Sequence, residues 1–379
     1  MKPAAKLNEL GQSTWLDLIG RKLIRSGELK RMIEEDGIRG VTANPAIFEK
    51  AIVETDEYDE ALKKLIEQGR SPMEIYEAIA IEDVQGAADV LRPLFDRLEG
   101  RDGFVSLEVS PYIARDTKAT LAEAKRFWKA VDRPNLFIKI PANPEGIPAI
   151  RQATAAGISV NITLIFSVRV YEQVIDAYFA GLEDRVAQGL PISQIHSVAS
   201  FFVSRVDTAV DKLLQEKGVP ELLGTIANAN AVEAYQSFLK SIATPRWKAL
   251  EAKGATRQRP LWASTGTKNK AYSDVLYVEP LIGRDTVNTM PLQTLRAFND
   301  HGRIAGETIL YSVEDARAQL VLLESHGIDL EAVCKKLTDD GLDLFSKALD
   351  GLLQAISARA EAQGFTRKAQ SRENPVRRT

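Results

Sequence analysis

FVSLEVS (104–110), NLFIKIPA (135–142) and SVNITLIF (159–166) are apolar runs, each bounded by turn or helix signals. TKATLAEAKRFWKAV (117–131), between the first two, repeats its apolar residues at helical spacing. Near-continuous apolar strands, rather than alternating ones, suit a parallel sheet buried on both faces. Strands that alternate with amphipathic helices imply βαβ units.

The same alternation extends in both directions. TWLDLI (14–19), IRGVTA (38–43), HSVASFFVS (196–204), PLWAST (260–265) and LYVEPLI (276–282) read as further strands, which brings the set to eight. The stretch 71–100 opens with Ser71-Pro72 as a helix start and ends at Gly100, and 167–189 opens with a Ser167 cap. Eight βα units predict an α/β fold, a (β/α)8 TIM barrel, as a single domain with extra helices over 1–365. A doubly wound open sheet is the rival, but no G-x-G-x-x-G follows any of these strands. The segment 208–256 reads as an elaboration around a helix, and 337–364 as the longest helix. The basic tail 366–379, with Arg367, Lys368, Arg372, Arg377 and Arg378, reads as a solvated end.

Composition excludes several classes. A formal net charge of −3 carries no nucleic-acid or membrane-surface footprint. No uncharged apolar run approaches the roughly 20 residues of a membrane helix. The N-terminus, MKPAAKLNELGQSTWLD, lacks the apolar core of a secretory signal, and Cys334 is the single cysteine. A reducing, cytoplasmic setting is expected. Cys334 with the scattered His196, His301 and His326 builds no metal site, so these four read as structural or surface residues.

Chemistry in a barrel belongs at the C-terminal ends of the strands. The polar residues there are Asp17, Thr42, Asn44, Glu108, Lys139, Asn161, Thr163, Ser200, Arg205, Ser264 and Thr265. Several have plain structural readings: a cap for Asp17, a turn for Asn44-Pro45, a local hydroxyl bond for Thr163. Lys139 and Glu108 are harder to place, because charged residues are almost never fully buried unpaired. Lys139 is open to three readings: a paired structural charge, an outward residue on a strand edge, or a nucleophile. A buried pair stabilises little, since desolvation offsets the attraction, so chemistry is the stronger explanation. Apolar surroundings favour the neutral form of an amine, which can attack a ketone to give a Schiff base. Carboxylates such as Glu108 and Asp17 would move the protons this requires.

With these residues together, the chain resembles the transaldolase family. The similarity runs through WLD (15–17), GVTANPAIFEKAI (40–52), VSLEVSP (105–111), NLFIKIPANPEG (135–146), GISVNITLIFS (157–167), VASFFVSRVD (198–207) and PLWASTGTKN (260–269). The WASTGTKN–YSDVLYVEPLIG–DTVNTMP stretch resembles the longer bacterial subtype.

The resemblance implies transfer of a dihydroxyacetone unit from sedoheptulose 7-phosphate to glyceraldehyde 3-phosphate, a step of the pentose phosphate pathway. The products are erythrose 4-phosphate and fructose 6-phosphate, and no cofactor or metal takes part. It implies Lys139 as nucleophile, Glu108 as acid/base acting through water, and Asp17 as the group handling the C4 hydroxyl proton. Asn44, Asn161 and Ser200 match residues that hold the dihydroxyacetone hydroxyls, and Thr42 and Thr163 match threonines beside the water and the lysine. Arg205 and Ser264 match phosphate ligands. Gly266 stands where a second arginine is usual, and Lys268 is the candidate replacement. Phe202 stands where fructose-6-phosphate aldolase-type relatives carry tyrosine. Sugar phosphates are the expected partners, with a monomer or homodimer as the assembly. An aldolase releasing dihydroxyacetone and a non-catalytic sugar-phosphate binder are the rival readings.

Overall fold

The computed structural model describes residues 1–53 and 55–362. Eight parallel strands close into a barrel in sequence order. They are β1 (Gln12–Leu16), β2 (Gly40–Val41), β3 (Phe104–Glu108), β4 (Leu136–Pro141), β5 (Val160–Ile165), β6 (Ser197–Phe202), β7 (Gln258–Ala263) and β8 (Thr286–Met290). Every strand residue except Arg259 is buried. That burial is why the strands read as unbroken apolar runs: one face meets the helices and the other the barrel interior.

The expected eighth strand, 276–282, is not a strand. Val278 adopts a helical conformation, and Glu279–Leu281 forms a 3-10 turn around Pro280, which has no N–H to give to a ladder. The run is apolar because Tyr277, Val278 and Leu281 enter the core. The true β8, TVNTM, pairs with β1 from Gln12↔Thr286 to Leu16↔Met290. Its polar groups are satisfied within the wall. Thr286 Oγ1 donates to the Gly283 carbonyl at 2.5 Å, and Asn288 Oδ1 accepts from Thr265 Oγ1 at 2.9 Å.

The middle of the barrel is filled by aromatic rings. Phe104 and Phe137 stack at 4.3 Å between centroids, and Trp15 lies 6.1 Å from Phe137. Gly40 makes room for the indole: a Cβ there would sit 2.4 Å from the Trp15 ring. Because side chains alternate along a strand, Asp17 and Lys139 stand one interior layer above these rings.

The expected helix starts hold. Ser71 and Glu74 form a reciprocal capping box on the helix Pro72–Arg97, Asp116 caps Thr117–Val131, and Ser167 caps Val168–Ala187. The stretch 208–256 runs from within the helix Ser204–Lys217 through the helices Ile226–Ile242 and Pro245–Glu251. The last described helix, Leu330–Ala362, crosses the C-terminal end of the barrel and packs on Pro45–Val53 and Ser204–Lys217. Arg115 pins it through Asp339 at 2.9 Å, and the Tyr112 hydroxyl bonds Asp350. The tail 366–379 lies outside the described residues. No helix among the described residues is long and apolar enough to cross a membrane.

Candidate active site

The C-terminal ends of the strands surround a cavity of about 270 Å³. Lys139 reaches its floor. In the ladder Glu108 on β3 and Asn161 on β5 flank Lys139 on β4. Lys139 Nζ donates to Glu108 Oε2 at 3.1 Å and to the Ala43 carbonyl at 3.2 Å. The Phe345 ring, from the helix Leu330–Ala362, lies 5.7 Å from Nζ. Lys139 is only 4% exposed, and a closed barrel has no edge, so the outward-facing reading fails. The paired reading holds as geometry, but Lys139 also lines the cavity, with Glu108 directly behind it.

The two carboxyls beside the lysine are both held above the ordinary carboxylate range. For Glu108 the cause is burial, opposed by the Lys139 charge and hydrogen bond, while Asp17 adds to the upward push. For Asp17 it is again burial, opposed by the Thr42 hydrogen bond and the charges of Lys139 and Arg205. Thr42 Oγ1 donates to Asp17 Oδ1 at 2.7 Å and lies 2.7 Å from Thr289 Oγ1. Carboxyls raised toward neutrality suit proton transfer in either direction.

Asn44 does two jobs at once. Its Oδ1 accepts from Ile47 N at 3.1 Å and caps the helix Pro45–Val53, while the residue still lines the cavity. Ser200 is also on the wall, held by its hydroxyl donating to Asn161 Oδ1 at 2.7 Å. Asn161 is fully buried behind it and uses its Nδ2 on Ser106 Oγ at 3.0 Å. Thr163 is fully buried as well, and its hydroxyl has no partner among the described residues. Glu108, Asn161 and Thr163 therefore stand behind the wall, not on it.

At the outer rim, Phe202, Arg205, Ser264 and Lys268 all line the cavity. The Arg205 guanidinium stacks 5.3 Å from the Phe202 ring. Among the described residues, neither Arg205 nor Lys268 makes a side-chain hydrogen bond or ion pair. Burial pushes both groups below their usual values, and Arg205 adds to the push on Lys268. The rim thus carries two cations without a direct ion pair, and Asp17 and Glu108 are the acids whose charge reaches Arg205. Ser264 holds φ 55, a left-handed backbone that serine rarely adopts, and its Oγ lies 3.0 Å from Ser204 Oγ. At Gly266 a Cβ would press on Pro291 Cγ at 3.2 Å.

Sequence reasoning missed Thr289, because its strand was misplaced. It also missed Phe345, an apolar position on an amphipathic helix with no local signal, and Asp274, which lines the cavity from a loop. His301 pairs with Asp274 at 2.9 Å on the surface, and Cys334 Sγ donates to the Phe166 carbonyl at 3.2 Å. His196 lies at the opposite end of the barrel, and His326 closes the helix Val313–Ser325. No group of three metal-ligating side chains forms among the described residues.

The Transaldolase/Fructose-6-phosphate aldolase family model matches residues 14–356. Transaldolase 2 of Streptomyces coelicolor is 49% identical over 356 residues, covering 93% of this chain and 96% of that protein. The transaldolase of Thermobifida fusca is 48% identical over 363 residues, covering 95% of this chain and 99% of that protein. The transaldolase of Acidothermus cellulolyticus is 49% identical over 361 residues, covering 95% and 97%. The matched span holds all eight strands but for the first two residues of β1, with the lysine and its two carboxyls, and on that ground the chain belongs to the transaldolase/fructose-6-phosphate aldolase family.

Proposed function

We propose that the protein is a transaldolase that carries a dihydroxyacetone unit as a Schiff base on Lys139. The observation that carries this reading is the amine on the cavity floor, in direct contact with Glu108 at 3.1 Å. Glu108 takes a proton from the ammonium, and the free amine attacks C2 of sedoheptulose 7-phosphate. Glu108 then returns a proton, through water, to the departing hydroxyl, and an iminium forms. Asp17 removes the proton of the C4 hydroxyl. The C3–C4 electron pair flows into the iminium, and erythrose 4-phosphate leaves. The enamine adds to the carbonyl carbon of glyceraldehyde 3-phosphate while Asp17 gives its proton back, and hydrolysis of the new imine releases fructose 6-phosphate.

Ser200 and Asn44 hold the hydroxyls of the three-carbon unit, Asn161 orients Ser200 from behind, and Thr42 keeps Asp17 in place. Thr163 belongs to the supporting layer beside β4. Arg205, Lys268 and Ser264 take the phosphate. Phe202 brings no hydroxyl that could protonate the enamine, which favours transfer over release of dihydroxyacetone. The lone cysteine fits a cytoplasmic enzyme, acting as a monomer or homodimer.

The test is borohydride reduction in the presence of fructose 6-phosphate, followed by peptide mass mapping. A three-carbon adduct on Lys139 is expected. No adduct, or an adduct on another lysine, overturns the mechanism. Free dihydroxyacetone accumulating over many turnovers without an acceptor would assign the aldolase reaction instead.

A further inference from the structure

At the other end of the barrel, away from Lys139, a cavity of about 450 Å³ opens among Arg39, Arg101, Arg257, Arg259, Asp102 and His196. We propose that this N-terminal mouth is a second anion site, taking a phosphate dianion either as inorganic phosphate or as a phosphomonoester. It shares no lining residue with the cavity at Lys139, and the layer of Trp15, Phe104 and Phe137 lies between the two.

The distribution of charge carries the argument. Asp102 is buried and already accepts four bonds. Its Oδ1 takes Trp15 Nε1 at 2.8 Å and Arg259 Nη2 at 3.3 Å; its Oδ2 takes the Ser13 hydroxyl and Arg259 Nη1 at 3.5 Å. Arg257 is matched separately, by Asp285 at 2.6 Å and Glu251 at 3.1 Å. Arg39 is left over. Its guanidinium makes no hydrogen bond among the described residues, and its nearest carboxylate oxygen, on the saturated Asp102, is 3.9 Å away. Arg101 donates from Nε to the Leu98 carbonyl at 3.2 Å, and its nearest carboxylate, Glu99, is 3.9 Å away and out in solvent, where such a pair contributes little. Two guanidinium groups, Arg39 and Arg259, thus share the one carboxylate of Asp102, and Arg101 adds a third cation to the same mouth. Burial, and then Arg259, Arg97 and Arg101, depress the Arg39 pKa against the pull of Asp102, as expected for a cation short of counter-charge.

A second, independent observation lies on the same wall. His196 is only 7% exposed, yet neither ring nitrogen has a hydrogen-bond partner among the described residues. The ring lines the cavity with both nitrogens unpartnered by protein, so it can turn a hydrogen-bonding group toward an occupant. Burial holds the ring neutral, at about 4, so it offers one donor and one acceptor instead of a further charge. Guanidinium forks match phosphate oxygens in a bidentate way, and the cavity falls within the usual size range for small-molecule sites.

The experiment is calorimetric titration of the whole protein with inorganic phosphate and, separately, with glycerol 2-phosphate. Four proteins are compared: wild type, the Arg205→Gln/Lys268→Met double variant, Arg39→Gln and Arg101→Gln. The double variant, with its rim cations removed, is expected to keep one phosphate site. Arg39→Gln should weaken that site roughly ten- to a hundred-fold, the loss of one charge-assisted contact, while transfer activity stays unchanged. Equal binding of both probes supports recognition of the phosphate group alone, and tighter binding of glycerol 2-phosphate supports a monoester. The proposal is overturned if the double variant binds neither probe, or if Arg39→Gln titrates like wild type. Should Arg39→Gln fail to fold, Arg101→Gln and the His196 ring resonances decide. Unchanged affinity together with no His196 shift on adding phosphate overturns the site.

Discussion

Lys139 and Glu108 face each other across neighbouring strands in register, with Nζ 3.1 Å from Oε2, and both are nearly fully buried. The pair therefore couples stability to chemistry. Removing the carboxylate strands a buried ammonium, and breaking a buried pair costs about 3–5 kcal/mol. Glu108→Gln keeps the shape and an acceptor oxygen but loses the proton carrier. We expect it to stay folded and to form the borohydride-trappable imine more slowly by roughly 10²–10⁴-fold. Single-turnover trapping measures this. An unchanged trapping rate would remove Glu108 from the proton route.

Asp17 stands one residue past the end of β1, across the cavity from β4, and is held by Thr42. Its predicted role begins only after the imine exists. Asp17→Asn should therefore form the fructose 6-phosphate imine at a near-normal rate and fail at C–C cleavage, with kcat down roughly 10²–10⁴-fold. Mass spectrometry of the trapped adduct separates the two steps: a six-carbon adduct is expected in place of the three-carbon one. If the three-carbon adduct still dominates, Asp17 does not handle the C4 hydroxyl.

As proposed phosphate ligands, Arg205 and Lys268 differ in kind. A guanidinium can offer a bidentate fork, whereas an ammonium acts as a point charge. Arg205→Gln should raise KM for fructose 6-phosphate more than Lys268→Met does, by roughly ten- to a hundred-fold for the loss of a charge-assisted contact. Neither change should alter the mapped lysine. Steady-state kinetics at two ionic strengths check this. Equal KM effects from the two variants would mean that both groups act only through their field.

His196 makes a pH prediction of definite sign. Burial, with a smaller contribution from Arg259, pushes it down from 6.5 to about 4. Between those values the unfolded chain binds a proton that the native chain does not. Stability therefore falls as pH drops through this window and levels off below it. The full shift corresponds to about 3 kcal/mol. His196→Gln should flatten that part of the profile, seen as a smaller loss of urea midpoint between about pH 7 and about pH 4.5 in phosphate-free buffer. An unaltered profile would mean that His196 is solvated in the native protein.

The parts of this fold that could be read from sequence were those with one job. Strands such as NLFIKIPA are apolar on both faces, and the helix beginning at Ser71 has its capping box written into the chain. TVNTM was passed over because its threonines and asparagine bond inside the wall, a pairing invisible until β7 and the turn at Gly283 are in place. LYVEPLI misled for the opposite reason, being core without being strand. Lys139, Glu108 and Asp17 stood out as charges in apolar runs. Asn161 and Thr163 have the composition of contact residues but stand one layer back, and Phe345 comes from a distant helix whose docking no local pattern announces.

Gly40 and Val41 are all that β2 contributes to the ladders, and the β1–β2 seam consists of the single pair Leu16↔Val41. The barrel is thus a vessel with one short stave. Immediately past that stave the chain supplies Thr42, the carbonyl of Ala43 and Asn44, three points on which the Lys139 amine and its surroundings rest. This wall consequently has the shortest ladder of the barrel, held to β1 by two backbone bonds, Arg39 N to Thr14 O at 2.8 Å and Thr42 N to Leu16 O at 2.9 Å, and otherwise by side chains. Amide protons along 40–44 should then exchange ahead of those in β4 and β5, and occupation of the cavity should slow them first. A ligand here does more than fill a space: it supplies the stitches that the ladder leaves out.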